Sequence, residues 1–247
     1  MRGRPTRVAV VQLDCHPAAV LPGSSDPLED PLFDGKDATL PTPDAVAEAL
    51  VKPIRALRTR VRETYCAQLL RKVTAILEAC RGWGVQLVVF PEYSIPWQIL
   101  DGVAAASGEM VVVAGTHSVT RAARSDGVYQ RLGGAPPPSL EAVAPVLYRG
   151  KLLALTSKMY AAKPERGALR ESGRWSTIEL PPDLGLPSPL GVVICLDFLV
   201  APGAEPDKIT RDKLQQARLL AVPSWTPTHT LREFEAAAWV CGIRHTC

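Results

Sequence analysis

The sequence predicts an α/β fold whose strands are covered on both faces. Short β-branched runs at 85–90 (VQLVVF) and 110–115 (MVVVAG) lack polar alternation, which places both their faces in apolar surroundings. Stretches with apolar residues three and four positions apart separate such runs. Strands alternating with helices imply helical layers packed over sheet.

The elements follow in order. Residues 7–13 (RVAVVQL) read as a strand. Residues 14–60 break the pattern, because Pro17, Pro22, Pro27, Pro31, Pro41, Pro43 and Pro53 punctuate them. This Pro-rich insertion reads as a long loop with at most one helix, at 44–57, capped by Asp44. A loop of that length in a compact domain is functional or disordered. Residues 62–83 read as a helix, with Leu69, Leu70, Val73, Ile76, Leu77 and Cys80 on one stripe and Gly82 and Gly84 ending it. The strand at 85–90 stops at Pro91, a short helix spans 95–106, and the strand at 110–115 follows. Residues 121–145 read as loop. Residues 146–148 and 152–155 flank Arg149–Gly150 as a hairpin. A strand at 175–180 and a turn-rich stretch at 181–189 lead to the buried strand ending at Cys195. Helix at 207–217, strand at 219–222 and helix at 231–240 complete a single domain over 1–247.

Hydrophobic residues make up 47% of the chain and charged ones 21%, the balance of a soluble globular protein with a sizeable core. The net charge of +3 is small and not gathered into a run, so it points to neither nucleic acid nor an anionic membrane. Residues 8–13 are too short for a signal-peptide core or a membrane span, and the cytoplasm is the expected location. Six cysteines, at 15, 66, 80, 195, 241 and 247, show no C-x-x-C spacing, as in a reduced intracellular chain.

Sites in α/β sheets gather at the carboxyl ends of strands. Glu92 follows the strand at 85–90, Cys195 follows Val192, Val193 and Ile194, and Asp197 comes two residues later. A carboxylate there is a candidate general base. A Cys before a turn that exposes backbone N–H groups is a candidate nucleophile. Taken singly, such a Cys is more often a packed small residue, and such a Glu a solvated turn residue. Their joint placement, with a Lys between them, points to chemistry.

These residues carry a resemblance. Val88-Val89-Phe90-Pro91-Glu92 is similar to the strand-plus-Glu signature of the nitrilase superfamily, and Gly191-Val-Val-Ile-Cys195-Leu-Asp197 to its nucleophile signature. Residues 7–13, with Gln12, resemble the family's first strand, and Pro223-Ser224-Trp225 the segment after the nucleophile strand and helix. The resemblance covers roughly 5–245, interrupted by the insertion. It implies a four-layer α-β-β-α sandwich of nitrilase type, lacking the family's last strands. The chain is then expected to be a fragment, or to be completed by a fusion, a partner domain or a second copy. The loop at 198–203 also departs from the family's Arg-rich continuation.

The resemblance further implies a hydrolase that cleaves a carbon–nitrogen bond of a small amide or carbamoyl substrate, and less readily a nitrile, without a cofactor. Cys195 is then the nucleophile, Glu92 the base and Lys158 the stabiliser of the tetrahedral intermediate, aided by the N–H of Leu196. Glu165, seven residues past Lys158, holds the Lys or positions substrate; it reads equally as an exposed turn charge. Lys151 competes with Lys158 for the catalytic role, but its hairpin position suits a solvated turn residue. Tyr93, Leu196 and Trp225 are the candidates for the substrate pocket, Trp225 reading equally as core, and Asp197 has a structural role.

Three other readings stay open. A Cys/His hydrolase would draw on His16, His117, His229 or His245. A metal site would use Cys241, His245 and Cys247, although structural zinc takes four ligands. A sensor or scaffold domain would keep the site for binding alone, within a larger assembly.

Overall fold

A computed structural model describes residues 6–13, 44–166, 169–172, 175–201, 210–225 and 230–240. Its strands are β1 (Val8–Val10), β2 (Leu87–Val89), β3 (Val111–Val113), β4 (His117–Ser118), β5 (Ala142–Tyr148), β6 (Lys151–Ser157), β7 (Leu190–Val192) and β8 (Leu219–Ala221). Its helices are α1 (Asp44–Gly82), α2 (Leu100–Ser107), α3 (Arg121–Asp126), α4 (Val128–Arg131), α5 (Leu196–Val200), α6 (Arg211–Leu214) and α7 (Leu231–Val240). The α/β class is as expected.

Six strands form one sheet in the order β1-β2-β3-β5-β4, with β6 also paired to β5. The first three run parallel, and the β5–β6 hairpin is antiparallel. β7 and β8 form a second, parallel pair. Alternation along the strands sends side chains to two separate cores. Val88 and Val112 face Leu69, Val73 and Leu77 of α1 and Leu100 and Val103 of α2. Leu87, Val89, Val111 and Val113 face the other way, onto Leu190, Val192 and Ile194 of the second sheet. The far side of that sheet carries a third core, in which Val193 meets Phe198, Leu214, Ala237 and Ala238. Each fully buried Val or Leu contributes about 1.5–3 kcal/mol, so both faces of the central strands are strongly specified.

The structure differs from expectation in several places. Residues 44–60 are helical, and α1 is one helix of 39 residues rather than two separated by a loop. Pro53 removes one amide from the helical ladder, but Ala, Leu, Glu and Arg on either side propagate the helix through it. Residues 14–43 of the insertion lie outside the described residues. The stretch at 175–180 is no strand; Ile178 alone bridges to Leu190. Residues 121–145 contain α3 and α4, the first capped by the Thr120 side chain, which accepts the Ala123 N–H at 3.0 Å. Among the described residues β1 lies at the edge of its sheet, and its Val10 is 78% exposed.

Candidate active site

Glu92 and Cys195 sit just past the carboxyl ends of β2 and β7, one on each sheet. The turn after β2 is forced by its neighbours. Tyr93 has a positive φ of 55° and donates its N–H to Thr116 Oγ1 at 2.8 Å. Gly115 lies against this turn with φ 59°, and a Cβ there would collide with the Pro91 carbonyl and the Ser94 hydroxyl. Glu92 is thereby fixed at 2% exposure. Cys195 is strained likewise, with φ 47° and ψ −109°. Such backbone costs on the order of 1–3 kcal/mol and persists where surrounding bonds over-determine it. Here the Cys195 N–H donates to the Pro223 carbonyl at 3.0 Å, and those of Asp197 and Phe198 donate within the turn. Among the described residues, the turn's backbone bonds leave out the N–H of Leu196.

Lys158 stands at the end of β6 and is 1% exposed. Its Nζ donates to Glu92 Oε1 and to Glu165 Oε1, both at 2.7 Å. Glu165 sits in a 3-10 turn at Lys163–Glu165, where its other oxygen accepts the Ala162 N–H at 2.5 Å. The Tyr93 hydroxyl also donates to Glu165. The second Glu92 oxygen accepts the Trp225 N–H at 3.2 Å. The Cys195 thiol lies close to the Glu92 and Ser224 side chains, and both act on its proton affinity.

The structure therefore brings Glu92, Lys158, Glu165 and Cys195 together, with Tyr93 turned onto Glu165. Trp225 reaches the cluster through its backbone, and its side chain is half-exposed. Leu196, partly buried, opens α5 directly after the Cys. Lys151 is exposed at the opposite end of β6 from Lys158. The links from Ser224 and the Trp225 backbone went unread in the sequence. Their signal was the Pro-Ser-Trp run directly after β8.

One cation and two carboxylates share this dry space. Burial, with the Glu165 charge adding to it, raises Glu92 above the ordinary carboxylate range against the opposing pull of Lys158. Burial lowers Lys158, but Glu92 and Glu165 outweigh that and hold its proton above the usual lysine range. Burial and then the Glu92 charge push the Cys195 thiol up to about 12, against the opposing pull of Lys158. The arrangement stores no thiolate. It holds a thiol beside a carboxylate whose proton affinity is raised, which suits proton exchange between them.

His117 packs elsewhere. It pairs in register with Val143, and its Nε2 lies 2.8 Å from the Tyr129 hydroxyl, on the helix-covered side of the six-stranded sheet. Burial pushes its pKa down to about 4. Cys195 belongs to the core on the other face. His16, His229, His245, Cys241 and Cys247 lie outside the described residues. Among the described residues no group of three or more His, Cys, Asp or Glu is placed to hold a metal ion. No described helix is long and apolar enough to cross a membrane.

No family model matches this sequence, and no curated protein matches it. Among solved structures the chain is similar to a variant of the amidase from Nesterenkonia sp. AN1 that shows covalent addition of the acetamide moiety of fluoroacetamide at its active-site cysteine (16% identity, TM-score 0.49). A cysteine-to-alanine variant of the Nesterenkonia AN1 amidase, from the nitrilase superfamily, is similar at 15% identity over 72% of this chain and 68% of that one, with a TM-score of 0.49. A glutamine-dependent NAD+ synthetase from Acinetobacter baumannii, in complex with ADP, is similar at 15% identity and a TM-score of 0.46 over 66% of this chain. The chain spans 30% of the synthetase. It covers 66% of the amidase carrying the acetamide moiety, and that match takes in 70% of this chain.

Proposed function

We propose that this chain is a nitrilase-type hydrolase that cleaves the carbon–nitrogen bond of a small amide or carbamoyl compound through a thioester on Cys195. One observation carries the reading: a buried Lys158 bonded at 2.7 Å to both Glu92 and Glu165, with the Cys195 thiol close enough to Glu92 for that charge to act on its proton. A nucleophile, a base and a fixed cation within one buried cluster are what acyl transfer requires. The three stacked cores support the four-layer α-β-β-α order.

Glu92 takes the thiol proton as sulfur attacks the carbonyl carbon. A C–S bond forms, and the carbonyl electrons move onto oxygen. Lys158 and the N–H of Leu196 stabilise that oxyanion. The tetrahedral species collapses, the C–N bond breaks, and Glu92 returns the proton to the departing nitrogen. Water then attacks the thioester, Glu92 accepts its proton, and the acid leaves with the thiol restored. Glu165, held by Tyr93, keeps Lys158 in place. Trp225, half-exposed at the rim, contacts the acyl group.

The test is ammonia release from a panel of small amides and N-carbamoyl compounds, with intact-mass detection of an acyl adduct. Adduct and release in the wild type, both lost in Cys195→Ala, are expected. Neither signal across the panel would overturn the reading. The raised thiol favours a second reading, a site that holds ligand without turnover; adduct or binding without release would select it.

A further inference from the structure

Asp197 is fully buried and takes part in none of these steps. It stands two residues past Cys195, in the first turn of α5. Its carboxylate accepts the Met159 N–H, at 3.0 Å on Oδ2 and 3.2 Å on Oδ1, and the Tyr160 N–H at 2.8 Å on Oδ1. These are the two amides directly after Lys158. The strand ladder has ended by then, since β6 stops at Ser157 and the Lys158 N–H makes the last bond, to Ala142 at 2.8 Å. Buried amides leaving a ladder need another acceptor. Here it comes from the other sheet and from the turn that presents the sulfur.

A carboxylate is a costly way to fill buried space. Burial pushes Asp197 up to about 7, although the Met159 and Tyr160 amides and the Lys158 charge pull it down and only Glu92 adds to the rise. An apolar residue would pack there without that cost but would leave two amides unpaired. The carboxylate makes sense as a two-point clamp between chain segments.

We infer, resting on the site reading given above, that Asp197 is a positioning residue that rivets the Lys158 end of β6 to the Cys195 turn and so sets the separation of ammonium and sulfur. It touches no reacting atom. Its effect passes through the backbone of Met159 and Tyr160 to the preceding Lys.

The test compares wild type with Asp197→Asn, which keeps the size and one acceptor oxygen but sets an amide nitrogen against a backbone donor. Two rates are read: alkylation of Cys195 by iodoacetamide, which needs no turnover, and amide hydrolysis. Misplacement on the ångström scale costs up to about a hundredfold in rate. Asp197→Asn is therefore expected to fold, to slow alkylation by about 10–100-fold, to alter its pH profile, and to lower kcat far more than it changes KM. A folded Asp197→Asn with wild-type alkylation and kcat would overturn the inference. If Asp197→Asn does not fold, Asp197→Glu, which keeps the charge on a longer arm, gives the same comparison. A wild type that is alkylated at Cys195 but hydrolyses no amide would sink the hydrolase reading alone, and the alkylation ratio would still decide this one.

Discussion

Lys158 and Arg131 each sit between two carboxylates, and the clusters differ in water more than in composition. Lys158 bonds Glu92 and Glu165 with side-chain exposures of 1%, 3% and 5%. Arg131 bonds Asp101 at 2.7 Å and Asp126 at 2.6 Å, with exposures of 48%, 44% and 37%. The distances are nearly equal. At the surface, water and salt screen the charges, and such pairs have little influence on their surroundings. In the dry cluster, burial is the leading cause that raises the proton affinity of Glu92 and of the neighbouring thiol, and the charge of the adjacent carboxylate adds to it in each case. An ion triad becomes an acid–base device when solvent is excluded from it.

The largest break comes from Lys158→Met. It leaves two buried carboxylates without their cation, a loss of about 3–5 kcal/mol on the scale of broken buried pairs. Urea denaturation should show that loss, and ammonia release should fall below detection. Next is Glu92→Gln, which can keep the Lys158 contact but cannot take a proton. Turnover is expected to drop about 10²–10⁴-fold, the usual worth of a general base, while circular dichroism stays that of the wild type. Activity at the wild-type level would remove Glu92 from the mechanism.

A subtler probe is the pH dependence of Cys195 alkylation. The thiolate is the reactive form, so the rate rises with pH until the thiol has titrated. With the thiol pushed up to about 12, the rate should still be climbing at pH 9–10, past the ordinary thiol value of about 8.5. A plateau below pH 9 would contradict a thiol raised by burial and by the Glu92 charge. The smallest effect belongs to the surface cluster: Arg131→Gln should leave both denaturation midpoint and turnover within experimental error.

Much of the site was legible because its residues stand at strand ends. Glu92 and Cys195 each close an apolar run, which the strand pattern located; Lys158, just past the hairpin's second strand, came from the family resemblance, with Lys151 as its competitor. Glu165 was legible only as a spacing from Lys158. The bonds that fix these groups were not legible. Tyr93 reads as a pocket residue after Glu92, and only the positive φ of its turn shows why its hydroxyl reaches Glu165. Asp197 reads as structural, but its partners, two amides nearly forty residues back, depend on how the sheets stack. In the fold, the alternation-free runs gave the buried strands correctly. Pro53 misled, because a proline's local cost says nothing about the helix-forming sequence on either side of it.

The Trp225 N–H that reaches Glu92 lies 133 residues further along the chain, and the carbonyl that holds the Cys195 turn belongs to Pro223. The site therefore cannot close until that segment has been made. A nascent chain can emerge with Glu92, Lys158 and Cys195 all present and still lack the segment that bonds to both Glu92 and the Cys195 turn. Until residues 223–225 leave the ribosome and dock, neither the Glu92 carboxylate nor the Cys195 turn has the backbone partner that holds it in the folded chain.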